Sequence, residues 1–358
     1  MNPKAFLLRA MLGAVCGIAA WNVSAQETRE LTYATFYGSN DFYETSATYF
    51  MEEVTRRTDG RITFKPYYGG SLLQTAEMST GLAKGAADIA AAVPAAFNPR
   101  EFPLSGVVLP FITQNPPAAT AAFSELYREN SALQDEYKRN NQHLLWAIGS
   151  GENTVWTNKP IHTADDLEGA RIRAITGVAD ALKALGGTPI SIPWVEALEL
   201  VQRGGAEGVS GTPFNQSIVT KVFDMAPYGS NGGRMGVYTL VTWAVNANTW
   251  ESLDEDTQKI IMEVAESVPD HYFEKYNDEI DRAVDLAKEA DVQFIPMDEE
   301  EEAEWKSVAQ PVVFKKWVDM VGSDEAEPLL ERYQELVKEF EKKHSYTPGF
   351  DRLAELDK

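Results

Sequence analysis

Two arginines, Arg171 and Arg173, lie two residues apart in the segment Ala-Arg-Ile-Arg-Ala-Ile, which is predicted to form a strand. Residues at this spacing share one face of a strand. The strand leads into Ile175-Thr176-Gly177 at its carboxyl end, where open α/β sheets bind their ligands. A guanidinium offers parallel N–H groups that match the two oxygens of a carboxylate. We therefore predict that Arg173 binds a carboxylate. The alternative is that both arginines pair with surface acids.

The sequence lacks the common motifs of catalysis and cofactor binding. It contains no nucleophile elbow, zinc-protease motif, P-loop or EF-hand loop, and Gly149-Ser150-Gly151 lacks the third glycine of a dinucleotide fingerprint. The four histidines share no metal-ligand spacing: His143, His162, His271 and His344. We predict no cofactor, no metal site and no enzymatic activity, although a distant pair of carboxylates stays compatible with an enzyme.

Acidic side chains dominate the composition. The chain has 358 residues, with 54 acidic against 32 basic side chains and a net charge of −22 at neutral pH. This charge speaks against nucleic acid or an anionic membrane surface as a partner, because both attract basic proteins. It favours a soluble monomer, and a dimer remains compatible. The apolar fraction of 44% is sufficient for a packed core, and the length suggests two domains.

The first 25 residues have the pattern of a secretory signal peptide. Lys4 and Arg9 precede an apolar run over residues 10–21, and Val23-Ser24-Ala25 provides a cleavage site. A lipid anchor on Cys16 ranks second, because Val15 precedes this cysteine. No other stretch approaches the length of a membrane span, so we predict no direct membrane insertion. Cleavage removes the only cysteine, and we predict a periplasmic protein without disulfides.

Hydrophobic periodicity and turn residues predict two similar α/β halves. The first half has predicted strands at residues 31–36, 61–66 and 87–93 and helices at residues 41–58, capped by Asn40 or Asp41, and 74–84. The second half repeats this order, with strands at residues 170–175, 188–192 and 206–210 and helices at residues 178–185 and 194–203. A β-α-β-α-β order implies a parallel sheet covered by helices.

The remaining elements connect and extend these halves. Strands at residues 144–148 and 237–245 are predicted to cross between them, and a helix is predicted at residues 117–130. The last third is predicted to be helical, with one helix running from Asn248 or Ser252 to about residue 290, interrupted at Pro269, and two more at residues 298–321 and 324–343. The predicted architecture is two α/β domains joined by crossover strands, with long C-terminal helices. Domain I comprises residues 26–150 and 237–278, and domain II comprises residues 151–236 and 279–358.

The segment that carries Arg173 resembles a family signature. Residues 158–173, Asn-Lys-Pro-Ile-His-Thr-Ala-Asp-Asp-Leu-Glu-Gly-Ala-Arg-Ile-Arg, are similar to the signature of solute-binding proteins of TRAP (tripartite ATP-independent periplasmic) transporters, the DctP-type family. Further segments fit the family at residues 69–73, 81–92, 109–111, 184–189, 193–198 and 252–256. The resemblance implies a two-lobed, periplasmic-binding-protein-like fold. It also implies that Arg173 binds the carboxylate of a small organic acid, which is delivered to the small and large membrane subunits of a TRAP permease.

The chain departs from the family pattern at two positions. The family's ligand-contacting asparagine falls on Gly211, where Thr212 or Asn215 could replace it. A second arginine of the pattern falls on Asn153, beside which Glu152 offers an acceptor. These losses favour a monocarboxylate over a dicarboxylate such as succinate, which needs two cationic partners.

Aromatic residues at predicted strand ends and loops suggest a partly apolar pocket around the carboxylate site. The candidates are Tyr37, Phe97, Trp194, Phe214 and Tyr238. A core position is the more common place for any one of them, and Tyr37, Trp194 and Phe214 are the strongest candidates for the pocket.

Two other functions remain open at this point. A periplasmic hydrolase or lyase of small acids on the same scaffold needs a base beside the cleft, and Glu152 and Glu207 are the candidates. A ligand-sensing subunit that contacts a membrane receptor has the same sequence features as a transport protein.

Overall fold

The computed structural model describes residues 28–356, without the side chains of residues 323, 355 and 356. The signal peptide predicted at residues 1–25 lies outside this range. In the described part of the chain, the strands form two mixed sheets. The strands are β1 (Arg29–Ala34), β2 (Ile62–Tyr67), β3 (Ile89–Ala92), β4 (Gln142–Gly149), β5 (Val155–Thr157), β6 (Arg171–Arg173), β7 (Thr188–Ile190), β8 (Gly208–Val209), β9 (Tyr228–Ser230), β10 (Leu240–Asn246) and β11 (Gln293–Phe294).

The α-helices cover the faces of these sheets. They are α1 (Glu44–Arg57), α2 (Met78–Ala83), α3 (Pro94–Phe97), α4 (Pro116–Glu129), α5 (Ser131–Arg139), α6 (Thr176–Ala184), α7 (Trp194–Gln202), α8 (Phe214–Val219), α9 (Ala247–Glu251), α10 (Glu255–Glu274), α11 (Tyr276–Glu289), α12 (Glu299–Val321), α13 (Ser323–Glu341) and α14 (Gly349–Leu356). No helix among the described residues is long and apolar enough to cross a membrane.

The first sheet has the order β2-β1-β3-β10-β4. Strand β1 pairs in parallel with β2 and β3, as the β-α-β-α-β pattern predicts, and β10 lies antiparallel between β3 and β4. Every residue of β3 and β10 is buried, because helices cover both faces at the centre of the sheet. Trp146 of β4 and Trp243 of β10 stack with ring centroids 5.1 Å apart.

The second sheet has the order β11-β9-β5-β8-β6-β7. Strands β7, β6 and β8 are mutually parallel, which again agrees with the predicted pattern, and β5 lies antiparallel between β8 and β9. Each sheet therefore combines one β-α-β-α-β unit with an antiparallel strand that arrives from elsewhere in the chain. The α/β fold predicted from the sequence is confirmed, while the domain boundaries remain a prediction.

The chain passes between the two sheets in the segments after β4 and before β10, whereas both strands themselves belong to the first sheet. Residues 150–154 lead from β4 to β5, and residues 231–239 lead from β9 back to β10. The predicted strand at residues 237–245 thus begins only at Leu240. The two connections bind each other, because the N–H of Ser150 donates to the carbonyl of Thr239 at 3.0 Å and that of Asn153 to Gly236 at 2.8 Å.

The single long helix predicted up to residue 290 is wrong, since this stretch forms α9, α10 and α11. The caps are Asn246 and Asp254, whose side chains accept the N–H groups of Thr249 and Thr257, rather than the predicted Asn248 or Ser252. Pro269 lies inside α10, and the chain breaks instead at Lys275. This break follows tertiary packing, because α10 packs against α1 and β4, whereas α11 packs against α8 and α14.

Candidate functional site

Arg173 lies at the carboxyl end of β6, which runs between β8 and β7 in the second sheet. Ile172 is fully buried in the core, and Arg173 follows it as the last residue of the strand with only 3% of its surface exposed. Its Nε donates to the carbonyl of Ile192 at 2.9 Å, and its Nη1 donates to the carbonyls of Ser210 at 3.2 Å and Gly211 at 2.8 Å. Three backbone oxygens from the loops after β7 and β8 therefore hold the guanidinium in one orientation.

The charge of Arg173 is not neutralised by the described part of the protein. No carboxylate among residues 28–356 lies within 4.0 Å of its guanidinium, and its Nη2 makes no hydrogen bond there. Burial lowers the pKa of Arg173 to about 10, so that the group is still a cation at neutral pH. An arginine carries five N–H donors, and those on Nη2 are available to a carboxylate.

Arg171 differs from Arg173 in each of these respects. Its guanidinium forms an ion pair with Glu207 at 3.0 Å, and both side chains are substantially exposed. The pairing of an arginine with a surface acid is thus correct for Arg171 and wrong for Arg173.

A cavity of about 480 Å³ opens in front of Arg173. Its lining comes from both sheets and lies beside the ends of strands: Tyr37 after β1, Ser150 after β4, Gly211 after β8, and Thr239 before β10. The carboxyl ends of parallel strands from two sheets therefore meet at one place, as expected for an α/β ligand site. The volume suits a small organic molecule.

Aromatic side chains form much of the cavity wall. They are Phe36, Tyr37, Tyr43, Phe97, Trp194 and Tyr238. The rings of Tyr37 and Tyr43 are stacked, with centroids 4.9 Å apart. The guanidinium carbon of Arg173 lies 5.6 Å from the centre of the Trp194 ring, within reach of a cation–π attraction. Four predicted aromatic residues, Tyr37, Phe97, Trp194 and Tyr238, thus line the same cavity as Arg173.

Two polar atoms in the cavity wall lack a partner in the described protein. They are Nε1 of Trp194 and Oγ1 of Thr239, both buried. An unpaired buried polar group costs about 1–3 kcal/mol.

The cavity also has an acidic side. Asp41 and Glu196 line it. Asp41 lies in the loop between β1 and α1, where its Oδ1 accepts the N–H of Tyr43 at 3.0 Å. Burial raises the pKa of Asp41 to about 6, and the charge of Glu279 acts in the same direction. Neither Asp41 nor Glu196 forms an ion pair within the described residues.

Four predicted binding residues do not line the cavity: Glu152, Thr212, Phe214 and Asn215. Phe214 is fully buried and packs edge-on against Phe350 of α14, with centroids 5.1 Å apart. The carbonyl of Thr212 accepts the N–H of Thr154 at 3.1 Å, which turns this segment into the core. Asn215 is 4% exposed at the start of α8. Thr212, Phe214 and Asn215 therefore do not line the cavity, whereas Pro213 and Gln216 of the same segment do.

Glu152 is held by the C-terminal segment. Its carboxylate accepts the hydroxyl of Tyr346 at 2.5 Å and the N–H of Gly349 at 2.6 Å, and 2% of the residue is exposed. Burial raises the pKa of Glu152, although both hydrogen bonds act against this shift. No local sequence pattern indicates this contact, because Tyr346 and Gly349 are separated from Glu152 by 194 and 197 residues.

Both departures from the family pattern act on the loop that holds Arg173. Asn153 is buried, and its Oδ1 accepts the N–H of Gly211 at 2.7 Å and the hydroxyl of Ser210 at 3.2 Å. Gly211 has φ of +66°, a conformation that favours glycine, and a Cβ there would lie 3.1 Å from the backbone nitrogen of Ile175. Asn153 thus fixes the carbonyl of Gly211 that orients Arg173.

Most of the cavity residues were not predicted from the sequence, and they include Asp41, Tyr43, Ser150, Gln216 and Thr239. Ser150 directly follows the end of β4, and this position could have identified it, whereas Asp41 lies well inside the loop between β1 and α1. Tyr43, Gln216 and Thr239 had no such signal. Among residues 28–356, no group of three or more His, Cys, Asp or Glu side chains is arranged to hold a metal ion.

Two α/β lobes with a cavity between their strand ends, and a buried arginine facing it, define a cleft-type solute-binding protein. The model of the bacterial extracellular solute-binding proteins, family 7 (DctP), matches residues 33–318, and the chain belongs to this family. The resemblance to TRAP solute-binding proteins is thereby confirmed.

Two characterised relatives cover nearly the same length. The chain is 23% identical over 321 residues to the ectoine/5-hydroxyectoine-binding periplasmic protein UehA of Ruegeria pomeroyi. This alignment covers 87% of this chain and 92% of UehA. It is also 23% identical over 319 residues to the C4-dicarboxylate-binding periplasmic protein DctP of Rhodobacter capsulatus. This alignment covers 86% of this chain and 93% of DctP.

Solved structures share the fold at low sequence identity. A TRAP solute-binding protein from Rhodoferax ferrireducens, in complex with copurified benzoate, has a TM-score of 0.78 at 22% identity and covers 89% of this chain and 100% of its own. The ectoine-binding protein of the TeaABC TRAP transporter of Halomonas elongata has a TM-score of 0.77 at 21% identity, with 87% and 99% covered. These likenesses support the two-lobed fold.

Proposed function

We propose that this protein binds a small organic monocarboxylate in the cavity between its two sheets, with the ligand's carboxylate on the guanidinium of Arg173. The observation that carries the proposal is a buried arginine with free donors facing a cavity of about 480 Å³. A buried charge without a partner is costly to maintain, and a ligand carboxylate would compensate this cost.

The charges of the lining support a monocarboxylate. Among the described residues that line the cavity, Arg173 is the only basic one, whereas Asp41 and Glu196 are acidic. A second carboxylate on the ligand would find no cationic partner there and would meet like charge. The aromatic wall favours an apolar or ring-containing body. The chain therefore has a site that differs from what a C4-dicarboxylate requires.

Closure of the lobes would complete the binding site. Arg173 and Trp194 belong to the lobe around the second sheet, whereas Tyr37, Phe97 and Tyr238 lie beside the first. A ligand that contacts both groups binds the closed form better than the open one, and only this difference can drive closure. The connections at residues 150–154 and 231–239 and the break at Lys275 are the proposed hinges.

The proposed site of action is the periplasm, and the proposed partners are the two membrane subunits of a TRAP permease. The signal-peptide pattern and the family support this assignment. A sensing role shares all these features and is the alternative.

The hydrolase or lyase alternative gains no support from its two candidate bases. Glu152 has both oxygens hydrogen-bonded behind the cavity wall, and Glu207 pairs with Arg171 on the surface. Members of the family are solute-binding proteins rather than enzymes.

A thermal-shift screen over matched mono- and dicarboxylates tests the proposal. A monocarboxylate at 100 times its dissociation constant should stabilise the protein by about 2.7 kcal/mol. The stabilisation should vanish in Arg173→Ala and persist in the matched control Arg171→Ala. A screen in which dicarboxylates stabilise more, or in which Arg173→Ala responds like the wild type, would contradict the proposal.

A further inference from the structure

The cavity that holds Arg173 carries an opposite charge on its other wall. Asp41 comes from the loop after β1 of the first sheet, and Arg173 comes from the end of β6 in the second. Both line one cavity, yet they do not form an ion pair with each other or with any other described residue. The two charges thus come from segments beside different sheets and line the same cavity without pairing.

The hydrogen bonds of Asp41 leave part of its carboxylate free. Oδ1 accepts the N–H of Tyr43, which holds the side chain in place, and Oδ2 accepts no hydrogen bond from residues 28–356. A turn-stabilising role needs only one oxygen and no charge. The negative charge of Asp41 at the cavity wall therefore has no structural use in the described protein.

The surroundings of Asp41 suit a cation. The stacked rings of Tyr37 and Tyr43 line the cavity beside it, and aromatic rings attract cations that lie within about 6 Å of their centres. Glu196 adds a second acid at the exposed rim. A cavity built for a simple anion would gain nothing from two carboxylates in its wall.

We propose that the ligand is a zwitterion whose carboxylate binds Arg173 on one lobe and whose cationic nitrogen binds Asp41 and the tyrosine pair on the other. This inference rests on the proposed function and narrows it to compact amino acids and betaines. A ligand with both charges links the lobes electrostatically, and each attraction strengthens as closure excludes water. Asp41 is then the residue that selects zwitterions over plain acids.

Calorimetry with pairs of compounds that differ only in the cationic nitrogen tests this inference. Suitable pairs are pipecolate with cyclohexanecarboxylate, N-methylnicotinate with 3-methylbenzoate, and 4-(trimethylammonio)butanoate with 5,5-dimethylhexanoate. In at least one pair the zwitterion should bind the wild type tenfold or more tightly than its partner. In Asp41→Asn this preference should fall to within about twofold, whereas the affinity for the plain acid stays the same or rises.

Asp41→Asn retains the oxygen that accepts the N–H of Tyr43, so the fold should be preserved. An unchanged melting temperature would confirm this. Asp285→Asn, an exposed change of the same charge on α11, is the matched control and should keep the preference. Plain acids that bind as well as the zwitterions, or a preference that survives in Asp41→Asn, would overturn the inference and leave the carboxylate site intact. Failure of every compound to bind would instead contradict the proposed function, and the inference with it.

Discussion

Arg173 and Glu152 are both ionisable and buried, but they differ in whether their hydrogen-bonding atoms all have partners in the protein. Burial favours the neutral form of both side chains, because it lowers the pKa of Arg173 and raises the pKa of Glu152. Both oxygens of Glu152 accept hydrogen bonds, from Tyr346 and Gly349, whereas Nη2 of Arg173, a residue of the cavity wall, has no hydrogen-bond partner among the described residues. A buried carboxyl whose two oxygens both have partners belongs to the packed fold, whereas a buried guanidinium with a free donor beside a cavity is suited to a ligand.

The largest expected effect is on binding at Arg173. Arg173→Ala should weaken the binding of a stabilising carboxylate by about 2–5 kcal/mol, because a buried ion pair loses one partner. Arg173→Lys should recover only part of this loss, since an ammonium cannot make the two parallel hydrogen bonds of the guanidinium. Isothermal titration calorimetry measures both. Equal affinities of Arg173→Lys and the wild type would show that charge alone matters at this position.

A smaller effect, on stability rather than binding, is expected at Glu152. Glu152→Ala leaves the hydroxyl of Tyr346 and the N–H of Gly349 without their acceptor, and it should lower the free energy of unfolding by about 1–3 kcal/mol. Residues 345–356 should become more sensitive to proteolysis, while the ligand affinity at low temperature should change less than twofold. A large loss of affinity at unchanged stability would instead support the prediction that Glu152 binds the ligand, and it would contradict the structural role given to Glu152 here.

The smallest effect is a pH dependence that separates the two charges. The raised pKa of Glu152 means that the folded state holds a proton where the unfolded chain has released it. The contribution of Glu152 to stability is therefore fully present below its ordinary pKa and decreases as pH rises through the raised value. Arg173, with a pKa of about 10, does not titrate between pH 5 and 8.

Thermal unfolding of the wild type and Glu152→Gln across pH 5–8 tests this difference. The other buried carboxyls with raised pKa values, Asp41, Glu44 and Glu136, act in the same direction in both proteins and cancel in the comparison. Glu152→Gln should gain stability relative to the wild type as the pH rises. A difference that is constant with pH would mean that Glu152 keeps its ordinary pKa in the folded state.

Local sequence signals predicted the strands and helices of both β-α-β-α-β units. Alternating apolar residues and terminal glycines depend only on the residues within one strand or helix. The strand that ends at Arg173 was predicted from such a pattern. The break at Lys275 gave no such signal, because it occurs where the chain passes from packing against α1 to packing against α8. Pro269 misled the prediction, since α10 continues through it.

The sequence by itself determined the family, the two α/β units, and Arg173 as the charge at a strand end, because these depend on residue types at short spacing. Tertiary structure alone decided which side chains share the cavity. It brought Asp41 and Thr239 to the wall and turned Phe214 and Glu152 into the core. The physical reason is that the lining is assembled from strand ends of two separate sheets, and the distances between them are set by packing over some 200 residues of chain rather than by any local pattern.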